Sequence, residues 1–268
     1  MKKFELTSET KINIFGKKLF RIKALISFGV VKTGETGGWV EKEENVNQSG
    51  NAWVFGNAEV FGNAEVFGNA EVSDNAWVFG NARVFGNARV SGNARVSGNA
   101  EVSDNARVFG NAEVSDNAWV SGNARVFGNA RVSGNAWVFG NAEVFGNAWV
   151  FGNARVFDNA RVFGNAEVSG NAEVSDNARV FDNARVFGNA DYATIHGFGT
   201  QFRTTTFFRC KDKQVKVSCG CFYGTIPEFC EQVKNTRKGK IAEEYLMIAD
   251  LMEKHFAEEA KKKHHNLS

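Results

Sequence analysis

Apolar and polar residues between Asn51 and Gly188 follow a pattern that repeats every six residues. The segment contains 23 consecutive copies of the hexapeptide Asn-Ala-x-Val-(Phe/Ser)-(Gly/Asp), with no residue inserted or lost. Within each copy, Ala-x-Val-(Phe/Ser) alternates with period two. This predicts a four-residue strand with Ala and Val on one face and x and Phe/Ser on the other. The Gly/Asp-Asn pair predicts a corner, because Asn tolerates the left-handed helical conformation and Gly or Asp suits the residue before it.

Sides of six residues suit a triangular coil of three sides and 18 residues. In such a coil the small Ala fits beside the corner, Val fills the interior, and residues 18 apart stack on one face. We therefore predict a mainly β fold, a parallel solenoid whose coils pair only with their neighbours and whose two ends must be capped. A right-handed solenoid or a β-roll is the alternative fold for the same pattern.

The repeat also resembles a known family when the unit is started at Val. It then has the form Val-(Phe/Ser)-(Gly/Asp)-Asn-Ala-x, which is similar to the hexapeptide repeat of left-handed β-helices, with an aliphatic residue first and a small residue fifth. The resemblance covers about half of the chain. It implies a left-handed triangular parallel β-helix with three hexapeptides in each coil.

The composition divides the chain into three regions. Residues 1–50 are predicted to form an N-terminal β cap, and residues 51–190 form the β-helix. Gly37-Gly38-Trp39-Val40 leads into the repeat, and Val40 and Val46 already have its spacing. Residues 191–268 are predicted to form a small α+β C-terminal module. Apolar residues suited to short strands in the cap are Phe4, Leu6, Ile12, Ile14, Phe15, Leu19, Ile22 and Leu25.

The C-terminal module is predicted to contain short strands followed by two helices. Residues 192–195, 204–209 and 215–219 alternate as strands do, and residues 211–213 suggest a hairpin. Thr225 is the expected N-cap of a first helix that runs to about Lys234, because Pro and Glu follow it in the first turn. Apolar spacing predicts a second helix from about 241 to 259.

The outward positions of the repeat carry its variation. Position x holds 10 Arg, 8 Glu and 5 Trp, and the Phe/Ser position holds 14 Phe and 9 Ser. Residues that are 18 positions apart occupy the same place in successive coils. Grouping them gives one face on which Phe occurs in five consecutive coils, next to a mildly basic column of x residues. A different face is acidic and carries a second aromatic patch, Trp119 and Trp137. The predicted interaction face consists of Phe109, Phe127, Phe145, Phe163, Phe181, Arg107, Arg125, Arg161 and Arg179.

Two interpretations of the outward Phe residues remain open. A large exposed apolar patch usually marks an interface. Alternatively, stacked Phe side chains stabilise the coils through pairing between neighbouring strands. The arginines are either contacts for a partner or solvated partners of Glu, which contribute little.

Charge and composition exclude several classes of protein. The net charge is +2, so we expect no strong general attraction to nucleic acid or to an anionic membrane. With 43% hydrophobic and 23% charged residues the chain is not of a disordered type. It contains no run of 18 apolar residues and begins without the apolar core of an export signal, so we expect a cytoplasmic protein with reduced cysteines.

Cysteine and histidine are the remaining candidates for chemistry. Cys210, Cys219, Cys221 and Cys230 allow a zinc site as an alternative to buried thiols, although Cys219 and Cys221 are closer together than zinc knuckles prefer. Many left-handed β-helix proteins are acyltransferases, and that resemblance would require a histidine at a coil and a loop that interrupts the repeat. Neither occurs, so we predict no enzyme and no cofactor. The histidines are His196, His255, His264 and His265, all outside the repeat.

A second resemblance spans nearly the whole chain. Residues 37–41 (Gly-Gly-Trp-Val-Glu), the Asn-Ala-x-Val repeats, and residues 217–222 (Val-Ser-Cys-Gly-Cys-Phe) with 224–229 (Gly-Thr-Ile-Pro-Glu-Phe) are similar to bacteriophage and prophage proteins that have no assigned activity. The resemblance implies a phage-related protein in the cytoplasm of the host bacterium. It implies no functional residues.

The hypothesis that follows is a non-enzymatic binding protein with a rigid β-helix surface. Its partner is expected to be a protein, such as a host defence component that it inhibits or sequesters, or a second copy of the chain in a homo-oligomer. Three alternatives remain: a self-assembling structural spacer, a nucleic-acid binder on the Phe/Arg face, and, least favoured, a hexapeptide acyltransferase.

Overall fold

The computed structural model describes the backbone of residues 1–265 and the side chains of residues 1–257. Its N-terminal strands β1 (Phe4–Ile12), β2 (Lys18–Ala24) and β3 (Thr36–Val40) are antiparallel, and a short 3₁₀ turn (Glu43–Asn45) follows them. The next 23 strands, β4 to β26 in chain order, are each two residues long and form a parallel β-solenoid of about eight turns. The mainly β class and the 18-residue coil predicted from the sequence are confirmed.

Three sheets form the sides of the solenoid. Face 1 contains β4 (Trp53–Val54), β7 (Glu71–Val72), β10 (Arg89–Val90), β13 (Arg107–Val108), β16 (Arg125–Val126), β19 (Glu143–Val144), β22 (Arg161–Val162) and β25 (Arg179–Val180). Face 2 continues from β1, β2 and β3 into β5 (Glu59–Val60), β8 (Trp77–Val78), β11 (Arg95–Val96), β14 (Glu113–Val114), β17 (Arg131–Val132), β20 (Trp149–Val150), β23 (Glu167–Val168) and β26 (Arg185–Val186). Face 3 contains β6 (Glu65–Val66), β9 (Arg83–Val84), β12 (Glu101–Val102), β15 (Trp119–Val120), β18 (Trp137–Val138), β21 (Arg155–Val156) and β24 (Glu173–Val174).

The interior of the solenoid is a continuous column of Ala and Val. Every repeat Val and nearly every repeat Ala is fully buried, as the alternation predicts. The prediction of four-residue strands is wrong, because only the x-Val pair has strand geometry. The backbone nevertheless stays in register around the coil. Arg125 N donates to the Ala142 carbonyl at 2.9 Å, and Phe127 N donates to the Val144 carbonyl at 3.0 Å.

The corners differ from the prediction in which residue adopts the left-handed conformation. Gly or Asp, and not Asn, has positive φ, between 57° and 74°, at every repeat corner from Gly56 to Asp182, whereas the final Gly188 is extended. Coils stack closely there, so a Cβ added to Gly128 would lie 3.0 Å from Gly146 N. Asp also fits because its carboxylate can bond to the next coil, as when Gly122 N donates to Asp104 Oδ2 at 3.0 Å.

Asn has a different role at the corner. Its side-chain amide donates to the Oδ1 atom of the Asn 18 residues further on, as from Asn123 to Asn141 at 3.1 Å and from Asn141 to Asn159 at 3.1 Å. Each of the three edges therefore carries a ladder of asparagine side chains. These ladders tie neighbouring coils together outside the backbone sheet.

The N-terminal region covers the first coil, as predicted. β3 pairs in parallel with β5, so that Val40 lies opposite Val60, and Val46 bridges to Val66. Two sides of a coil are therefore built before Asn51. Trp53 occupies an outward x position but is fully buried, because Phe4 of β1 and Phe28 of the β2–β3 loop cover its ring.

The C-terminal module consists of an antiparallel sheet and two helices. A 3₁₀ turn (Asn189–Asp191) leads into β27 (Tyr192–Phe198), β28 (Arg203–Arg209), β29 (Val215–Cys219) and β30 (Phe222–Thr225), which pair in that order. The strand β30 was not predicted from the sequence, because it is short and contains Gly224. The remaining elements are the helices α1 (Ile226–Thr236) and α2 (Lys240–His265).

The helices follow the predicted signals at their start more closely than at their end. Thr225 caps α1, with Glu228 completing a capping box, as expected. The predicted end of α2 near Glu259 is wrong, because the helix runs to His265. Its apolar stripe stops at Phe256, but the following Ala, Glu and Lys residues are strong helix formers. Neither helix in the described chain has the length and apolarity needed to cross a membrane.

The C-terminal module closes the other end of the solenoid. Phe208 is fully buried against the last Ala and Val residues of the column. Cys210 bridges to Ala184, and the Tyr223 hydroxyl donates to Asp182 at 2.6 Å. Both ends are thus covered by other elements of the chain, which removes the open strand edges that favour aggregation.

Candidate interaction surface

Face 1 carries an unbroken stack of phenylalanine rings. The rings of Phe109, Phe127, Phe145, Phe163 and Phe181 lie parallel, with consecutive centroids 4.7–4.9 Å apart and interplanar angles of 0–4°. The coil spacing sets this distance, because side chains 18 residues apart lie on neighbouring strands. Each side chain is half-buried: its faces cover the neighbouring rings and its edge meets solvent. The five-ring ladder expected from the sequence is confirmed.

An arginine column runs alongside this ladder. The guanidinium of Arg125 lies 5.6 Å from the Phe109 ring centroid and 5.3 Å from that of Phe127, and Arg161 lies 5.5 Å from Phe145. These are cation–π distances. The arginine stems therefore pack on the rings, and the charged groups line one side of the ladder.

The charges in the column are not fully compensated. Glu143 bonds to Arg125 at 3.1 Å and to Arg161 at 2.6 Å, and Glu71 pairs with Arg89 at 3.3 Å. Arg107 lies between Arg89 and Arg125 in the parallel register and, within residues 1–257, forms no ion pair with a carboxylate. Eight of the ten repeat arginines form such pairs; the exceptions are Arg107 and Arg179.

The far end of the ladder is covered. The Phe181 ring contacts Phe208 at 5.6 Å and Tyr223 at 4.6 Å, so it belongs to the junction with the C-terminal module. Burial is the main cause that raises the pKa of the Tyr223 hydroxyl, and its bond to Asp182 adds to this effect. The part of the ladder open to a partner therefore extends from Phe109 to Phe163.

The aromatic patch on face 3 is smaller. Trp119 and Trp137 pair in consecutive coils as predicted, with ring centroids 5.3 Å apart at 76°. They are 36% and 38% exposed. Trp119 Nε1 donates to Ser103 Oγ at 3.1 Å, so the indole leans into the space that a Phe would fill in the preceding coil. This pair is a less extensive surface than the ladder of face 1.

The start of face 2 is covered in a way that the sequence did not indicate. Phe61 and Phe79 stack at 5.1 Å, and Phe15 from the turn between β1 and β2 lies 5.6 Å from each of them. The N-terminal hairpin therefore occupies the first aromatic column of that face. Periodicity could not show this, because Phe15 lies outside the repeat.

The four cysteines do not come together as a zinc site would require. Cys210 is buried at the end of the solenoid, whereas Cys219 and Cys230 pack in the separate core of the C-terminal module. No group of three or more potential ligands for a metal ion occurs in the described part of the chain. Burial is the main cause that raises the pKa of Cys210 to about 11, which keeps this thiol protonated.

The histidines within the described side chains lie in the C-terminal module. His196 Nδ1 is 3.2 Å from Thr204 Oγ1, and His255 packs against Phe256. Both are remote in sequence from the coils to which an acyltransferase histidine would belong. The side chains of His264 and His265 lie outside the described residues.

Comparison with known families supports the repeat architecture. A family model described as YdcK Beta solenoid repeat matches residues 88–102, 118–134, 124–140 and 154–170. All four segments lie in the hexapeptide region. No protein with a curated description matches the chain. Together with the stacked coils of the structure, the family match shows that the chain is a β-solenoid repeat protein.

Proposed function

We propose that the protein is a non-enzymatic binding protein that uses face 1 to hold a protein partner. One observation carries the proposal: a ladder of half-exposed aromatic rings runs beside an arginine column in which Arg107 has no carboxylate partner in the described chain. A patch that combines aromatic rings and arginine has the composition of protein interfaces.

The chemistry of face 1 defines the partner segment. Apolar or aromatic side chains would pack on the ring edges between Phe109 and Phe163, and a carboxylate would bond to Arg107. An acidic segment fits better than an extended nucleic acid, because Glu71 and Glu143 border the arginine run and would repel a continuous phosphate backbone.

The rigid scaffold makes such a surface effective. The backbone ladder, the Asn ladders and the two covered ends hold the side chains in one geometry before binding. Binding then costs little conformational entropy. The similarity to bacteriophage and prophage proteins suggests an infected bacterial cytoplasm as the setting and a host protein, such as a defence component, as the partner.

Affinity purification from infected bacteria tests this proposal. The wild type is compared with the triple variant Phe127→Ser, Phe145→Ser, Phe163→Ser, and with the control Phe139→Ser, Phe157→Ser, which removes a ring pair stacked at 5.0 Å on face 3. Serine occurs naturally at this repeat position, so the coils should tolerate both variants. We expect mass spectrometry to identify a protein held by the wild type and the control but lost from the triple variant.

Two other outcomes would contradict the proposal. Capture of the same proteins by the wild type, the triple variant and the control would show that face 1 is not the binding surface. Retention of only the chain itself, with a change in oligomeric state in the triple variant by light scattering, would assign the ladder to self-assembly instead.

A further inference from the structure

A polar cavity of about 390 Å³ opens in the C-terminal module, and no residue of face 1 lines it. An adjoining cavity of about 290 Å³ shares four of its lining residues, Arg203, Cys219, Arg237 and Tyr245. Five parts of the chain line the larger cavity: the β27–β28 turn, the start of β28, the end of β29, the residue after α1, and α2. The strand β30 and the helix α1 also line the adjoining cavity. We call the two cavities together the Arg203–Arg237 pocket.

The pocket is electropositive. Neither cavity has an acidic residue in its lining, and both Arg203 and Arg237 line each of them. Neither Arg203 nor Arg237 forms an ion pair with any carboxylate of residues 1–257. In contrast, Arg209 in the same module pairs with Asp191 at 3.4 Å. Guanidinium groups without a carboxylate partner are ready to bind an oxyanion through paired N–H donors.

Neutral donors surround the two guanidiniums. Thr200 and Gln201, whose side chains carry a hydroxyl and an amide, line the larger cavity with Tyr245. The Tyr245 hydroxyl donates to the Phe198 carbonyl at 3.2 Å, which fixes its ring in the wall. Burial is the main cause that raises the pKa of Tyr245 to about 12, so the hydroxyl keeps its proton at neutral pH.

Two glycines allow the walls to approach. A Cβ at Gly199 would overlap the Tyr245 hydroxyl, and a Cβ at Gly220 would overlap the Arg203 guanidinium. Larger residues at either position would fill the space from which the donors reach the cavity. The adjoining cavity is more apolar, because Phe222, Phe229 and Val233 line it.

We propose that the Arg203–Arg237 pocket binds a small organic oxyanion, with its phosphate or carboxylate group between the guanidiniums and an aromatic body against Phe222 and Phe229. The polar cavity supplies charge-assisted donors for the anionic group, and the adjoining cavity supplies the apolar surface that a purely inorganic anion could not use. This site is separate from face 1 and does not depend on the function proposed for that face.

Isothermal titration calorimetry with phenyl phosphate, benzoate and benzyl alcohol tests the site. We expect at least one of the two anions to bind the full chain and neutral benzyl alcohol to show no binding under the same conditions. The anion that binds more tightly identifies the preferred group. Arg203→Gln and Arg237→Gln should each weaken that binding about tenfold or more, as expected for loss of a charged hydrogen-bonding group.

Lys238→Gln is the matched control, because it removes one exposed positive charge next to Arg237 that does not line the pocket. It should change the affinity less than threefold at the same ionic strength. Circular dichroism checks that all variants are folded, which is expected because Arg203 and Arg237 are exposed. Absence of binding by both anions, or equal losses in Lys238→Gln and the two pocket variants, would overturn the proposal.

Discussion

Deleting residues 111–128, one complete coil, is expected to leave a folded protein, whereas deleting only residues 123–125 is expected to unfold it. The coil deletion joins Gly110 to Asn129, which repeats a junction already present in the chain. Phe109 then stacks on Phe145, and Arg107 lies beside Glu143, so the register of all three faces survives. The stability of a solenoid is approximately the sum of the contributions of its coils. The free energy of unfolding therefore falls only by about the contribution of one coil.

The three-residue deletion has a different consequence. It shortens one side of the triangle by about 10 Å, because a strand advances roughly 3.3 Å per residue. The coil cannot close unless the register of the following residues shifts by an odd number of positions. Such a shift would turn Ala and Val outward. Circular dichroism with thermal melting compares the two variants. A cooperative melt of the three-residue deletion at the wild-type temperature would contradict the assigned coil.

Phe208→Asp is expected to separate the C-terminal module from the solenoid. The side chain is 0% exposed and packs on the last coil, so the variant loses its apolar contacts and places a charge in their position. Loss of a buried Phe and burial of an unpaired charge together should lower the free energy of unfolding by about 3–5 kcal/mol. The uncovered end should also promote association through its open strand edge.

Phe202→Asp is the control, because Phe202 lies in the same module and is 65% exposed. Its φ is +46°, a conformation that Asp tolerates better than Phe, so stability should change little. Urea denaturation and light scattering measure both properties. Equal effects of the two substitutions, or a wild-type midpoint for Phe208→Asp, would show that the module does not cap the solenoid.

The repeat allowed much of the fold to be predicted from sequence. Six-residue sides require three per coil, and that arithmetic places Phe109 and Phe127 on adjacent strands of one face, as the structure shows. The conformation of the corner could not be derived in the same way. Both Asn and Gly/Asp permit positive φ, and only the close stacking of neighbouring coils distinguishes them.

Contacts between regions were also beyond the reach of periodicity. The covering of Phe181 by Tyr223 and of Phe61 by Phe15 joins the repeat to segments with no repeat of their own. These contacts decide which aromatic residues are open to a partner. The uncompensated charge of Arg107 could have been predicted from the sequence, because the 18-residue register places Arg107 between two other arginines.

The Arg203–Arg237 pocket shows a further limit of sequence reasoning. Its two arginines are 34 positions apart, one at the start of β28 and one just after α1, so neither periodicity nor spacing connects them. The cysteine spacing directed attention instead to a metal site that the fold does not assemble within the described residues.

Site-specific photo-crosslinking tests the central claim, binding of a protein partner by face 1, most directly. A benzophenone-bearing phenylalanine analogue replaces Phe127 on face 1 or, as the control, Phe85 on face 3; both side chains are half-buried members of ring stacks. Irradiation of infected cells should give a discrete adduct heavier than the 29.4 kDa chain from position 127 and none from position 85. No adduct at position 127, equal adducts at both positions, or only a dimer of the chain would contradict the claim.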